Sequence, residues 1–207
     1  MRPVAAFDFD GTITRADSLY PFLRSVVGIG RLAAAAVADL PRLALVAAGR
    51  GDRDAAKARL FRRVLAGRDA AEFGARGAEH AASLLAHAIR PELRERIAWH
   101  RAEGHELAIV SASLDVYLDI VGRDLGFDHV VCTRLEVVDG RLTGAMLGGN
   151  CRGRAKVEHL RAAIADLDER ELWAYGDSAG DRELLAAARH PVRINRRASR
   201  RWPVLPG

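Results

Sequence analysis

The sequence predicts an α/β fold, a doubly wound and mostly parallel β-sheet with an α-helical insertion after its first strand. Three observations support this fold class. After residue 90, short apolar runs that end in polar residues alternate with segments of helical periodicity, as is typical of parallel sheets. Residues 17–87 are rich in Ala and Leu and show helical periodicity alone. The chain has 207 residues, which suffices for one such domain with a modest insert.

The first strand is expected over residues 4–9, an apolar run that leads into an acidic Gly-Thr segment. Three to four helices should follow, because apolar residues recur at helical spacing and glycines separate the segments. The glycines interpreted as helix stops are Gly28, Gly30, Gly49, Gly51 and Gly67. We therefore expect an α/β core formed by residues 1–15 and 89–207, and a helical cap formed by residues 16–88.

Strands and helices alternate in the rest of the chain. Pro91 favours the start of a helix that ends near Gly104. Further helices are expected at residues 114–123, 154–166 and 181–189, strands at 107–110, 130–132, 172–175 and 192–194, and a hairpin at 135–144 with an Asp-Gly turn. Ligands of such sheets bind beyond the carboxyl ends of the strands. Polar residues that follow different strands should therefore meet at one site.

The composition, 49% hydrophobic and 29% charged, is that of a globular chain. Cys132 and Cys151 lack the spacing of a metal site and are interpreted as small buried residues in a reducing cytoplasm. Because the first strand begins at residue 4, we expect no signal peptide.

Two segments bear on binding partners. Residues 32–48 are apolar but are interrupted by Asp39, Pro41 and Arg42, which favours a packed helical hairpin over a membrane span. Peripheral contact with the inner membrane surface is the alternative. A basic run near the C-terminus has no interleaved aromatic residues, so we expect a solvated tail and no nucleic-acid binding, with anionic lipid as the alternative partner. The run comprises Arg193, Arg196, Arg197, Arg200 and Arg201.

The segment Asp8-Phe9-Asp10-Gly11-Thr12 follows the first strand. If the alternation of the strand continues, both carboxylates lie on one side and Phe9 lies on the other. One carboxylate can then attack a substrate while the other delivers and removes a proton. Gly11 permits the close approach of an anion to backbone N–H groups. An ordinary Asp-Gly turn is the alternative interpretation.

Two further positions suit an anionic substrate. A hydroxyl at Ser111, after a strand, can bind phosphate together with the N–H of Ala112, while Ser113 is interpreted as a helix N-cap. Lys156 stands early in a helix and is one of only two lysines among 32 basic residues. Its compact charge would offset the negative charge of a phosphoryl group. A surface lysine is the alternative.

Residues 176–181 read Gly-Asp-Ser-Ala-Gly-Asp and follow another buried strand. Asp177 is placed to bind Mg²⁺, a hard ion that prefers oxygen ligands. Asp181, one helical turn further on, can orient Lys156 or a metal-bound water. A capped helix start, with Ser178 as one of the capping residues, is the alternative.

In this order, these segments resemble the haloacid dehalogenase (HAD) superfamily and, within it, subfamily IB, which carries a helical cap after the first strand and includes phosphoserine phosphatases. The resemblance covers nearly the whole chain and implies a Rossmann-like core and a Mg²⁺-dependent phosphatase. Dehalogenases of the superfamily lack the second aspartate, so Asp10 indicates phosphoryl chemistry.

The resemblance also implies a role for each matching residue. Asp8 would be the nucleophile that forms a phosphoaspartyl intermediate, and Asp10 would be the general acid and base. The implied phosphate ligands are Ser111, Lys156, Gly11 and Ala112, the metal ligands are Asp8, the carbonyl of Asp10, and Asp177, and the supporting residues are Thr12, Ser178 and Asp181.

The sequence defines the substrate, the particular phosphate ester, less narrowly than the chemistry. Phosphoserine phosphatases usually carry Ser-Gly-Gly where this chain has Ser-Ala-Ser at residues 111–113. This version, together with the segments at residues 133–136 and 150–153, resembles bacterial relatives that include phosphatidylglycerophosphate phosphatases. We therefore expect a phosphorylated lipid, with phosphoserine or another small metabolite as the alternative. Tyr20, Phe22 and Leu23 would line the leaving-group pocket or, for at least two of them, belong to the helix core.

Two other protein classes share part of this pattern. A response-regulator receiver domain would be about half as long and would lack the cap and the late Gly-Asp-Ser segment. A catalytically silent lipid- or protein-binding relative would be expected to have lost Asp8 or Asp10, and this chain keeps both. Transfer of the phosphoryl group to an acceptor other than water is a further alternative within the enzyme class.

Overall fold

The computed structural model describes residues 1–194 of the chain. Its strands are β1 (Val4–Phe7), β2 (Glu106–Leu114), β3 (His129–Val138), β4 (Arg141–Leu147), β5 (Leu172–Gly176) and β6 (His190–Arg193). Its helices are α1 (Leu19–Val27), α2 (Ile29–Ala38), α3 (Leu40–Ala47), α4 (Arg53–Leu65), α5 (Ala70–His87), α6 (Pro91–Ala102), α7 (Asp115–Leu125), α8 (Arg154–Ala163) and α9 (Arg182–Ala187).

Within the described residues, the strands form one six-stranded sheet in the order β4-β3-β2-β1-β5-β6. All neighbouring strands are parallel except β3 and β4, which are antiparallel. The turn between these two strands has positive φ angles at Asp139 and Gly140, 49° and 72°, as a tight hairpin turn requires. The predicted fold class and the Asp-Gly hairpin are thereby confirmed.

The central strand β1 is buried on both faces. Its residues alternate between two apolar clusters, with Ala5 and Phe7 in one and Val4 and Ala6 in the other. Continuous burial of this kind is expected for a strand of a parallel sheet that is covered by helices on both sides. The apolar run at the start of the sequence is therefore explained by the position of β1 in the middle of the sheet.

The strand register determines which residues reach the carboxyl edge of the sheet. Phe7 of β1 is paired with Ile109 of β2 on one side and with Tyr175 of β5 on the other. The polar residues that follow these three positions in sequence consequently emerge at the same level. This arrangement agrees with the prediction that one site forms at this edge.

The helical insertion differs from the prediction in the number of its helices. Residues 19–87 contain five helices, α1 to α5, whereas three to four were expected. Gly28, with a φ of 83°, separates α1 from α2 as predicted, but Gly30 lies inside α2 and is not a stop. Asp39 separates α2 from α3; Leu32 and Ala35 of α2 are buried, whereas no residue of α3 is fully buried. The division into core and cap at residues 16 and 88 stays a prediction.

Two boundaries in the core were also wrong. Strand β2 runs through residues 111–113 to Leu114, with a shift in its pairing to β3 between Ser111 and Leu114. Helix α7 therefore begins at Asp115, and Leu114 occupies its N-cap position without a side-chain hydrogen bond. Ser113 is not a cap, because its hydroxyl is engaged elsewhere. The predicted strand at residues 130–132 and the first arm of the hairpin are one strand, β3.

The expectations about membrane contact, the basic run and the two cysteines can be compared with the described residues. Within residues 1–194, no single helix is long and apolar enough to cross a membrane, and the pair α1 and α2 meets the length and composition criterion only jointly, with a bend of 108° between them. Of the basic run, Arg193 ends β6 and the other four arginines lie outside the described residues. Cys132 and Cys151 are buried, as predicted.

Candidate active site

The two aspartates of the first motif follow β1 in an irregular turn. Because β1 ends at Phe7, the alternation of a strand does not extend to Asp10 as was assumed. The backbone N–H of Asp8 donates to the carbonyl of Tyr175 in β5 at 2.9 Å, which fixes the start of the turn. Gly11 has a φ of 83°, a conformation that glycine adopts without strain, and this allows the chain to turn back.

Lys156 joins two carboxylates at the centre of the site. Its Nζ donates to Asp8 Oδ1 and to Asp181 Oδ1, both at 2.6 Å, and its side chain is only 2% exposed. Burial alone would lower the pKa of Lys156, but the charges of Asp8 and Asp181 raise it, so the ammonium stays charged. Lys156 is therefore not the surface lysine of the alternative interpretation.

The same environment affects the two carboxylates in opposite ways. Burial raises the pKa of Asp8 to about 7, although Lys156 lowers it, and the charges of Asp181 and Asp10 add to the rise. Burial also acts to raise the pKa of Asp181, but Lys156 and Ser178 outweigh it and the pKa is lowered. Asp8 thus lies in a position where a further positive charge would stabilise its ionised form.

Asp10 is held at both carboxylate oxygens. The backbone N–H of Ser18, immediately before α1, donates to Oδ1 at 2.6 Å, and the hydroxyl of Ser113 donates to Oδ2 at 2.5 Å. Burial raises the pKa of Asp10 because these hydrogen bonds offset it only in part. A carboxyl group with a raised pKa holds a proton closer to neutral pH, which suits a general acid.

Asp181 is fixed by the turn that it closes. Its Oδ2 accepts from the backbone N–H of Ser178 at 2.9 Å and from the Ser178 hydroxyl at 2.7 Å, and it also accepts from the N–H of Asp177 at 3.3 Å. Both oxygens of Asp181 are consequently occupied, one by this turn and one by Lys156. The alternative interpretation of a capped turn is correct for Ser178, and the cap also orients Asp181 toward Lys156.

The donor set of the site fits a hard divalent cation. Carboxylate oxygens of Asp8, Asp177 and Asp181 lie within 4.8 Å of one another. Because Asp181 already accepts from Lys156 and Ser178, Asp8 and Asp177 are the carboxylates of this group that we expect to face an ion. All three groups are oxygen donors, the type of ligand that Mg²⁺ prefers.

Residues 111–113 form a bonded segment rather than a loop. The backbone N–H of Ser113 donates to Ser111 Oγ at 3.1 Å, and Ser111 is buried. The carbonyl of Ala112 accepts from Lys57 Nζ at 2.5 Å, and the hydroxyl of Thr133 in β3 lies 3.0 Å from the same oxygen. The segment is therefore held by the core on one side and by helix α4 on the other.

Two residues at this site, Lys57 and Arg90, were not identified from the sequence. Lys57 is the other of the two lysines, and its ammonium donates to the carbonyl of Ala112 and to the side-chain oxygen of Asn150. The scarcity of lysine in the chain was the one sequence feature that could have indicated it. Burial lowers the pKa of Lys57 to about 8. Arg90, 3% exposed, donates to the carbonyl of Gly11 at 3.2 Å, and no pattern in the sequence pointed to it.

Four further residues named from the sequence lie in the turn after β1 and in α1. Thr12 is fully buried in the turn after β1, and its Oγ1 has no hydrogen-bond partner among residues 1–194. Phe22 and Leu23 are buried, whereas Tyr20 is 54% exposed. Tyr20 and Leu23 line an apolar cavity between α1, α2 and α4, and Phe22 does not.

A family model described as haloacid dehalogenase-like hydrolase matches residues 5–186 of this sequence. The chain belongs to the haloacid dehalogenase-like hydrolase family. This match spans all four motif segments and the helical insertion, so the resemblance inferred from the motifs is confirmed. The enzyme class that the sequence predicts, a HAD-type phosphatase, agrees with the names of several relatives of this HAD hydrolase.

Two curated relatives match most of the chain, and a third matches about half of it. The protein CicA of Caulobacter vibrioides is 37% identical over 191 residues, 89% of this chain and 82% of the relative. A protein named probable phosphatase from Mycobacterium tuberculosis is 29% identical over 217 residues, 99% of this chain and 75% of the relative. A phosphoserine phosphatase of Vibrio cholerae is 33% identical over 102 residues, which is 48% of this chain and 31% of the relative.

Solved structures agree with the fold. A protein of unknown function from Bordetella pertussis has a TM-score of 0.76 at 26% identity, with 90% of this HAD hydrolase and 87% of that chain covered. A substrate-bound phosphoserine phosphatase has a TM-score of 0.64 at 20% identity, with 91% and 83% covered. The second likeness concerns the fold alone.

Proposed function

We propose that this HAD hydrolase is a Mg²⁺-dependent phosphomonoesterase that works through a phosphoaspartyl intermediate on Asp8. The observation that carries the proposal is the pair of 2.6 Å contacts from Lys156 to Asp8 and Asp181, with Asp10 on the same turn as Asp8. A buried nucleophilic carboxylate, a fixed ammonium and a second carboxyl group with a raised pKa are the parts that two successive phosphoryl displacements require.

In the first displacement, a carboxylate oxygen of Asp8 attacks the phosphorus and the bond to the leaving oxygen breaks. Asp10 donates its proton to that oxygen, so the alcohol leaves uncharged. Lys156 offsets the negative charge on the phosphoryl oxygens. The hydroxyl of Ser111 and the N–H groups of Gly11 and Ala112 are the proposed donors to the same oxygens.

In the second displacement, Asp10 accepts a proton from a water molecule that attacks the phosphorus. The bond between phosphorus and Asp8 breaks, inorganic phosphate leaves, and the Asp8 carboxylate is regenerated. Asp8, Asp177 and the carbonyl of Asp10 would hold Mg²⁺, which supplies charge neutralisation for the phosphoryl oxygens when bound. Asp181 takes no direct part and holds Lys156 in place.

A phosphorylated lipid is the ester class that we favour. An apolar cavity of about 260 Å³ lies between α1, α2 and α4, and its lining includes Leu23, Leu32 and Phe61. Two of its lining residues lead to the site: Leu19 follows Ser18, which contacts Asp10, and Lys57 contacts Ala112. Such a cavity would accept the apolar part of a leaving group.

Contact with a membrane surface is part of the proposal that the substrate is a phosphorylated lipid. Large apolar side chains of α2 and α3 are exposed, including Val37 at 71% and Leu40 at 60%. Exposed apolar side chains on neighbouring helices are suited to the boundary between headgroups and acyl chains. We propose that this enzyme is cytoplasmic and contacts the inner membrane surface when it acts on lipid.

A small phosphorylated metabolite is the second candidate ester. The observation that favours it is the set of relatives named phosphoserine phosphatase, including those of Vibrio cholerae and Streptomyces coelicolor. Their identities of 33% and 32% extend over about half of this chain. Phosphoserine would leave the apolar cavity unfilled, so the two candidates differ in the contribution that the cavity makes to binding.

The test is phosphate release from a panel of esters, with Mg²⁺ and with a chelator, for the wild-type chain and Asp8→Asn. The panel contains phosphoserine, sugar phosphates, nucleotides, an aryl phosphate, and phosphatidylglycerophosphate in micelles with acyl chains of increasing length. We expect Mg²⁺-dependent release that is lost in Asp8→Asn, and a kcat/KM that rises with chain length. Folded protein that binds Mg²⁺ but releases no phosphate from any ester would instead indicate a silent binding protein or a phosphotransferase.

A further inference from the structure

Lys57 connects helix α4 to two different parts of the core. Its Nζ donates to the carbonyl of Ala112 in β2 and, at 2.7 Å, to Oδ1 of Asn150. The amide of Asn150 in turn donates to Asp54 Oδ1 at 2.7 Å, and Asp54 lies one turn before Lys57 on α4. Two neighbouring turns of a single helix are thus bonded to the edge of the sheet where the candidate site lies.

The peptide group between Ala112 and Ser113 is hydrogen-bonded at both its carbonyl, which Lys57 contacts, and its N–H. The N–H of the same Ala112–Ser113 peptide donates to Ser111 Oγ at 3.1 Å. Hydrogen bonds to an ammonium are stronger than neutral ones, and bonding at the carbonyl polarises the N–H of the same peptide. A hydroxyl oxygen that accepts this N–H must direct its own proton elsewhere. Lys57 therefore restrains the direction in which Ser111 can donate.

We propose that Lys57 is a positioning residue, which orients the Ser111 hydroxyl toward the substrate phosphate through the Ala112–Ser113 peptide. This inference rests on the proposed function, because it requires Ser111 to be a phosphate ligand. It also makes phosphate binding depend on helix α4, since the ammonium comes from that helix. Direct contact between Lys57 and the leaving group is the rival explanation, because Lys57 also lines the apolar cavity.

Inorganic phosphate separates the two explanations because it has no leaving group. We would measure its inhibition constant against hydrolysis of an aryl phosphate for the wild type and for Lys57→Met, together with kcat and KM. Arg62→Met, which removes an exposed charge from the same helix, is the matched control. We expect the inhibition constant of Lys57→Met to rise about tenfold to a hundredfold, the range for one hydrogen bond to a charged group. An unchanged inhibition constant combined with a raised KM would overturn the inference in favour of leaving-group contact.

A double-mutant cycle tests the route through Ser111. If Lys57 acts by orienting that hydroxyl, then Lys57→Met should change the inhibition constant by no more than about twofold in a Ser111→Ala background, which is the scatter found between independent sites. Retention of the full effect in that background would overturn the inference. Thermal unfolding of each variant shows whether it is folded. Failure of the proposed function has a different signature, because the wild-type chain itself would then release no phosphate.

Discussion

Replacement of Lys156 by Met removes the cation between two buried carboxylates and keeps the volume of the side chain. Both hydrogen bonds from Lys156 are 2.6 Å long, and Asp8 and Asp181 have side-chain exposures of 9% and 1%. A hydrogen bond to a charged group contributes about 1.5–3 kcal/mol, so the two together give about 3–6 kcal/mol. Loss of one partner from a buried ion pair costs about 3–5 kcal/mol by measurement in other proteins. We therefore expect the free energy of unfolding to fall by about 3–5 kcal/mol near pH 7.5.

The loss should depend on pH in a defined direction. The folded-state pKa of Asp8 already lies at about 7, above its ordinary value of 3.8, and removal of the ammonium raises it further. A carboxyl group with a raised pKa favours the folded state while it is protonated, and this contribution is lost as the pH rises through the folded-state pKa. The destabilisation caused by Lys156→Met should consequently be smaller at pH 5.5 than at pH 7.5.

Urea unfolding in the presence of a chelator, followed by the fluorescence of Trp99 and Trp173, measures these free energies. The matched control is Arg154→Met on the same helix, α8, where an 87% exposed arginine pairs with Glu158 at 2.8 Å. An exposed pair of this kind contributes about 0.3–0.5 kcal/mol. If Lys156→Met costs no more than Arg154→Met, the inference that Lys156 neutralises two buried carboxylates is wrong.

Two further predictions concern the hydrogen bond between Ser113 and Asp10 and the buried His100. Ser113→Ala removes the hydrogen bond that the Ser113 hydroxyl donates to Asp10, so kcat for an aryl phosphate should fall about tenfold with little change in KM. A raised KM at constant kcat would contradict this role. Burial lowers the pKa of His100 from 6.5 to about 3, so the unfolded chain takes up a proton below pH 6.5 while the folded chain does not. His100 should therefore account for about 1.4 kcal/mol of stability lost between pH 7.5 and 5.5, and His100→Gln, compared by urea unfolding, should lack this loss.

The sequence could predict that the candidate site lies at the carboxyl edge of the sheet, because the order of strands and motifs determines this position. Parallel strands have their carboxyl ends on one side, so Asp8, Ser111 and Asp177 could be assigned to a single site before any distance was known. The type of each residue then indicated its chemistry. The position of Lys156 between Asp8 and Asp181 extends this prediction, since a helix start and a turn after β5 converge there.

The contributions of Lys57 and Ser113 could not be predicted in the same way. Lys57 is separated from Ala112 by 55 positions in the sequence, and its contact depends on how α4 packs against the core. Ser113 was interpreted as a cap because serine is common before helices, yet β2 continues through it and its hydroxyl instead reaches Asp10, 103 positions away. Local patterns carry no information about partners at such separations.

The use of lysine in this chain follows from the geometry of the site. The chain has 32 basic residues, and its only two lysines, Lys57 and Lys156, both lie at the site. A planar guanidinium suits one carboxylate in a two-point contact, whereas an ammonium is compact and can donate in three directions. Lys156 donates to carboxylates that come from different strand ends, within a space where it is 2% exposed. Lys57 likewise divides its donors between a carbonyl and an amide oxygen, so at both positions a compact charge joins segments that a planar group would hold less closely.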